Sequence, residues 1–144
     1  MTSLAQKLSV TPGQIVCLLE APADTAALLR RELPAAVLIE DVADEDRYEA
    51  IFFWPKTPEG LAERFALLAC HIVPYGAVWA VLPKKQFAPV RGVALSWEQM
   101  QAAALQTDLV DNKNASISEV EYGTRFVIRS ARRGAYLGDE GERR

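Results

Sequence analysis

At 144 residues the chain is the size of one domain and can bury roughly 70% of the surface its unfolded form exposes. Half of its residues are hydrophobic, 24% are charged and the formal net charge is −3, a balance that excludes nucleic-acid binding by bulk electrostatics; no basic stripe interleaved with aromatics is present. The longest apolar runs are strand-sized and the first fourteen residues, interrupted by Lys7, do not form a secretory signal, so a cytoplasmic protein with no membrane span is expected.

Leu4 and Leu8, four apart, read as one face of a short helix. Thr11-Pro12-Gly13 is a turn, with proline presetting one torsion and glycine permitting a positive one. Gln14–Glu20 (Q-I-V-C-L-L-E) follows as a nearly continuous apolar run, the mark of a strand covered on both faces in a parallel sheet. Asp24–Leu33 reads as a helix capped by Asp24 or Thr25, with Ala27, Leu28 and Leu29 inward and Pro34 ending it. Ala36–Glu40 is a short second strand, and Asp41–Asp46 an acidic solvated loop.

Tyr48–Trp54, aromatic and β-branched, is the third strand. Glu59–Ile72 carries Leu61, Phe65, Leu68, Ala69 and Ile72 on one helical stripe, with Pro58 suited to its first turn. Pro74-Tyr75-Gly76 reads as a tight connection into a fourth strand, Ala77–Leu82, which Pro83 stops. Ser96 and Gln99 have the spacing of a capping box for a helix running to about Gln106. Asp108–Asn114 and Gly123–Arg129 are too close for a helical crossover and are expected to form an antiparallel hairpin. From Ser130 the chain is glycine-rich and charged, so one domain over residues 1–130 with a disordered charged tail over 131–144 is expected.

Cys17 and Cys70 lie inside apolar runs and read as small buried hydrophobes rather than a disulfide framework. His71 is the one histidine, placed near a helix end where it can meet the last carbonyls, and no spacing supplies it with metal-ligating partners. No metal site is expected. Ser96 is better explained as a cap than as a nucleophile, since no G-x-S-x-G turn surrounds it.

The order β-α-β-β-α-β-α-β-β predicts an α/β three-layer sandwich on a mostly parallel sheet closed by an antiparallel hairpin. Right-handed crossovers put the first strand in the middle, giving the spatial order 2-1-3-4-6-5. The runs L-x-V-T-P-G-Q-I-V-C-L-L-E-A-P, H-I-V-P-Y-G-A-V-W-A-V-L-P-K and Y-G-T-R-F-V resemble the methyltransferase-like Rossmann fold. More closely, the chain resembles a family of small bacterial proteins, without an assigned function, that look like a trimmed version of that fold. The resemblance covers roughly Leu4 to Arg129, and it implies the fold without fixing an activity.

The departures from that family pattern bear on function. The turn after the first strand reads Glu20-Ala21-Pro22, with no glycine where a cofactor's amino-acid end would approach the backbone, and Pro22 also removes a donor. Glu40 stands about twenty residues beyond Glu20, where the resemblance implies an acid for ribose hydroxyls. The expected ligand position, outside the carboxyl ends of the strands, gathers Glu20, Asp24, Glu40, Trp54, Lys56, Lys84 and Lys85. Lys84 and Lys85 can hold a phosphate or carboxylate or simply open a solvated loop; Trp54 can stack on a flat ligand or belong to the core. Glu20 and Lys84 are also placed to pair across the crevice. No catalytic residue is assigned and no cofactor is expected. The reading is a non-catalytic binding or regulatory domain, with a small anion or a protein as partner. Its competitor is an S-adenosylmethionine-dependent methyltransferase, or another adenosine-cofactor enzyme, with an atypical turn. An exposed edge at the second strand leaves the oligomeric state open.

Overall fold

The computed structural model describes residues 2–40 and 47–136. The acidic loop read at Asp41–Asp46 and the end of the charged tail lie outside the described residues.

The chain runs α1 (Leu4–Lys7), β1 (Ile15–Leu19), α2 (Ala23–Glu32), β2 (Val37–Ile39), β3 (Tyr48–Phe53), α3 (Leu61–Ala69), β4 (Ile72–Pro83), α4 (Trp97–Leu105), β5 (Leu109–Ser116) and β6 (Glu121–Ile128). The six strands form one sheet in the order β2-β1-β3-β4-β6-β5, as the crossover rule requires. The pairs β1–β2, β1–β3 and β3–β4 are parallel, whereas β6 enters antiparallel between β4 and β5.

Both faces of the sheet are packed, which is why β1 and β4 carry apolar residues at successive positions. On one face Leu8, Val10, Leu29 and Leu33 cover Val16, Leu18, Phe52, Trp79 and Val81. On the other, Leu61, Phe65, Leu68, Met100 and Ala104 from α3 and α4 cover Cys17, Ile51, Phe53, Val78, Ala80 and Phe126. Each large side chain so buried contributes about 1.5–3 kcal/mol relative to exposure, and this term holds the layers together. Among the described residues, no helix is long and apolar enough to cross a membrane.

The Ser96–Gln99 capping box forms as its spacing requires: Ser96 Oγ accepts from Gln99 N at 3.1 Å, and Gln99 Oε1 accepts from Ser96 N at 2.9 Å. Several local expectations are corrected. Neither Asp24 nor Thr25 caps α2, whose N-cap is Pro22 without a side-chain bond. Thr25, Ala26 and Leu29 are its buried residues. Helix α3 is shorter than its apolar stripe, because Gly60 at φ 68° ends the preceding turn and Ile72 already belongs to β4. Pro74-Tyr75-Gly76 is strand rather than connection. The β3–β4 register shifts between Tyr48 and Ala50, an irregularity at which proline is tolerated in a strand. Cys17 is buried, but Cys70 at the end of α3 is exposed and donates to Ala66 O at 3.5 Å.

The start of the charged segment beyond Ser130 is drawn onto the body. Arg132 Nε lies 3.1 Å from Asp108 Oδ1, and Tyr136 OH donates to Asp108 Oδ2 at 2.8 Å. Burial, reinforced by that carboxylate, pushes the Tyr136 phenol up to about 12 from 10.0. The folded state therefore holds this proton more tightly than the unfolded chain does. Its contribution is complete below about pH 10 and is lost as pH rises through about 12. Urea midpoints measured across that interval should fall more steeply for the parent than for Tyr136→Phe; identical slopes would show that the tyrosine is not tied down.

Candidate functional site

The carboxyl ends of β1, β3 and β4 open on one side of the sheet, and the segment after β4 arches over them. That segment has a single 3-10 turn at Lys85–Phe87 and a left-handed Gly92 at φ 68°. It is fastened at two points. Ala94 N donates to Lys56 O at 2.8 Å, and the Arg91 guanidinium donates to both carboxylate oxygens of Asp24 at 3.1 and 2.6 Å. The Arg91 hydrogen bonds hold the Asp24 carboxyl below its ordinary range, and Asp24 in turn raises Arg91.

Beneath this arch lies a crevice of about 310 Å³ bordered by Glu20, Trp54, Lys56, Val81, Arg91 and Glu121. Its size falls at the lower end for small-molecule pockets, roughly 300–1,000 Å³. Glu121 is only 1% exposed, and its carboxylate accepts the Thr25 hydroxyl across 96 positions of sequence. The buried Nε1 of Trp54 has no acceptor among the described residues.

A second crevice of about 330 Å³ lies over the ends of β1 and β2, bordered by Leu18, Glu20, Ala21, Ala26 and Glu40. Glu40 is engaged by Arg30, but with side chains 53% and 68% exposed that pair is a weak surface contact a ligand can displace. A third, of about 270 Å³, adjoins the start of α3 and is bordered by Glu20, Trp54, Lys56, Glu59 and Arg64 among others.

Glu20 borders all three crevices. Its φ of 58° places a non-glycine residue in the left-handed region, at a cost of about 1–2 kcal/mol. At the end of β1 the backbone thus takes a conformation that glycine adopts freely, with a carboxylate in its place. Strain of this kind concentrates at functional positions.

The structure brings Glu20, Trp54 and Lys56 together and seats Asp24 against the arch through Arg91. Glu40 borders the neighbouring crevice. Lys84 and Lys85 leave the group: Lys84 Nζ donates to Ser116 Oγ at 3.0 Å, so it does not pair with Glu20, and Lys85 borders a separate crevice beside Trp97 and Tyr122. Arg91 and Glu121 are the members that sequence reasoning missed. Period-two alternation in β6 was the available signal for Glu121, since it shares a face with Gly123, Arg125 and Val127. Among the described residues, no group of three or more His, Cys, Asp or Glu is placed to hold a metal ion.

No protein-family model and no curated protein matches the chain. Solved structures do. The N-methyltransferase NodS of Bradyrhizobium japonicum WM9 superposes with a TM-score of 0.57 at 9% identity, over 88% of this chain and 93% of that one. An S-adenosylmethionine-dependent methyltransferase of Clostridium acetobutylicum gives 0.56 at 7% identity, over 88% of each chain. A TehB-like SAM-dependent methyltransferase of Corynebacterium glutamicum gives 0.55 at 9% identity, over 88% and 87%. The fold is methyltransferase-like Rossmann. At such identities the likeness concerns the scaffold alone. In this methyltransferase-like sheet the crevices bordered by Glu20 occupy the ligand position that open α/β sheets share, outside the carboxyl ends of the strands.

Proposed function

We propose that the chain binds an adenosine-containing cofactor over β1 and β2 and a second small molecule under the arch, in the manner of a methyltransferase-like enzyme. The observation carrying this reading is the pair of crevices of about 310 and 330 Å³ that share Glu20, with Glu40 at the end of β2 beside the second. A carboxylate at that place accepts from vicinal hydroxyls, and its contact with Arg30 is too exposed to compete strongly.

The nucleoside half of S-adenosylmethionine fits these residues; its amino-acid half does not. Pro22, the N-cap of α2, has no N–H, and the first turn already holds the carboxylate of Asp24. Thr25, the nearby hydroxyl, is committed to Glu121. No chemical step is therefore assigned. This turn favours a second reading, a binding domain of the same fold that performs no transfer.

Calorimetry with S-adenosylmethionine, S-adenosylhomocysteine and adenosine distinguishes the readings. Micromolar binding of all three, adenosine about as tightly as the other two and each weakened about tenfold by Glu40→Ala, is the expected result, since a hydrogen bond to a charged group contributes about 1.5–3 kcal/mol. Absence of heat with all three at millimolar concentration would overturn the cofactor reading and leave the binding domain.

A further inference from the structure

The opposite end of the sheet carries a second, independent cluster. Cross-strand register aligns Phe52, Trp79, Arg125 and Lys113 in one row across β3, β4, β6 and β5. Directly paired residues point to the same face. The row runs from under α1 and α2, where Phe52 stacks on Trp79 at 5.6 Å, to the outer strands, where Arg125 and Lys113 are half-buried. Lys113 Nζ lies 5.9 Å from the Trp79 ring and donates to Ser9 Oγ at 2.6 Å.

The donors of this row outnumber its acceptors. Trp79 is 0% exposed, yet its Nε1 has no partner among the described residues, and the buried Nε of Arg125 has none either. The ion pairs of the described residues, Arg30–Glu40, Arg91–Asp24 and Arg132–Asp108, include neither Arg125 nor Lys113. Burial lowers the pKa of both cations, and the charge of Arg125 lowers Lys113 further. Two like charges and an unpartnered indole N–H in one half-buried place are costly unless an anion joins them.

Trp79 and Arg125 also border a crevice of about 190 Å³ at the amino ends of β1, β3 and β4, with Ser9, Gln14, Glu49 and Tyr75 on its rim; Lys113 stands outside the lining and reaches that rim through its bond to Ser9. Glu49, the carboxylate there, is turned to the backbone and accepts from Ile15 N at 3.0 Å. We infer that this crevice binds the phosphate group of a small ligand between Arg125, Lys113 and the indole N–H of Trp79. Two cations favour a dianion, which a phosphate monoester supplies near pH 7 and a simple carboxylate does not. The site lies at the amino ends of the strands, so it stands or falls independently of the cofactor reading.

The three indole N–H resonances of Trp54, Trp79 and Trp97 read the site directly. Titrating inorganic phosphate into the 15N-labelled protein at constant ionic strength should move the Trp79 resonance to saturation. Trp97, whose Nε1 donates to Thr124 Oγ1 at 2.8 Å, and Trp54, at the carboxyl ends, should stay in place. Arg125→Gln and Lys113→Gln should each weaken the response about tenfold. The half-exposed Lys113 keeps the test available if Arg125→Gln disturbs the sheet. A small phosphomonoester should act as inorganic phosphate does. A Trp79 resonance unmoved at tens of millimolar phosphate, an equal response to acetate or chloride, or a response undiminished by Lys113→Gln would each overturn the inference.

Discussion

Phe65→Ala will destabilise the domain by about 4 kcal/mol, the range for deleting a fully buried aromatic ring from a core that cannot collapse around the gap. Phe65 is 0% exposed and meets two rings edge-on: Phe53 at 5.2 Å from β3 and Phe126 at 5.0 Å from β6. One ring of α3 therefore joins a parallel strand to the antiparallel strand of the hairpin. Urea unfolding of the variant should show a lower midpoint with an unchanged slope. Leu67→Ala, on the exposed side of the same helix, should change stability by less than about 0.5 kcal/mol. A loss below about 1 kcal/mol for Phe65→Ala would mean that the α3 face of the sheet closes over the missing ring.

Gly123→Val will cost about 3 kcal/mol, and the cause is space rather than backbone conformation. A Cβ at this position would stand 2.8 Å from Trp79 Cε3 and 3.3 Å from Ile117 Cδ1. Trp79 cannot retreat, because it is fully buried and stacked on Phe52 with the rings 1° from parallel. The double variant Gly123→Val/Trp79→Leu should recover part of the loss, giving a coupling of about 1 kcal/mol between contacting sites. Unfolding midpoints of the two single variants and the double measure that coupling. Additive effects would show that the valine is accommodated by movement of β6 instead.

The strand order was legible in the sequence because it follows from rules with few exceptions. Apolar runs at Gln14–Glu20, Ala36–Glu40 and Tyr48–Trp54, with right-handed crossovers, put the first strand between the other two, and the sheet has that order. The short link between the last two strands forces a hairpin. The α3–β4 boundary was not legible, since Pro74 and Gly76 carry the composition of a turn. Gly76 serves instead to let three backbone oxygens crowd its α-carbon: a Cβ would meet Glu49 O at 2.8 Å, Val73 O at 3.0 Å and Tyr48 O at 3.1 Å. Two of these oxygens, Glu49 O and Tyr48 O, belong to β3 more than twenty positions away, and their demand leaves no local signature.

The candidate site was legible to the same extent. Glu20, Trp54 and Lys56 are close because strand ends of adjacent parallel strands must be close. Arg91 and Glu121 join through contacts to Asp24 and Thr25 that span 67 and 96 positions; alternation in β6 gives Glu121 its face, but no pattern within one element names either partner. Lys84 followed the strand as expected, but its ammonium found Ser116 on the hairpin, a partner fixed only when β5 is in place.

The insertion of β6 between β4 and β5 also bears on biosynthesis. β4 is twelve residues long with ten of them buried, and its second edge is closed by β6, the last strand of the sheet to leave a ribosome. Until then that edge presents unpaired amides and carbonyls beside an apolar surface, the arrangement that templates association between nascent chains. The closing hairpin is thus the step that ends the vulnerable interval of translation.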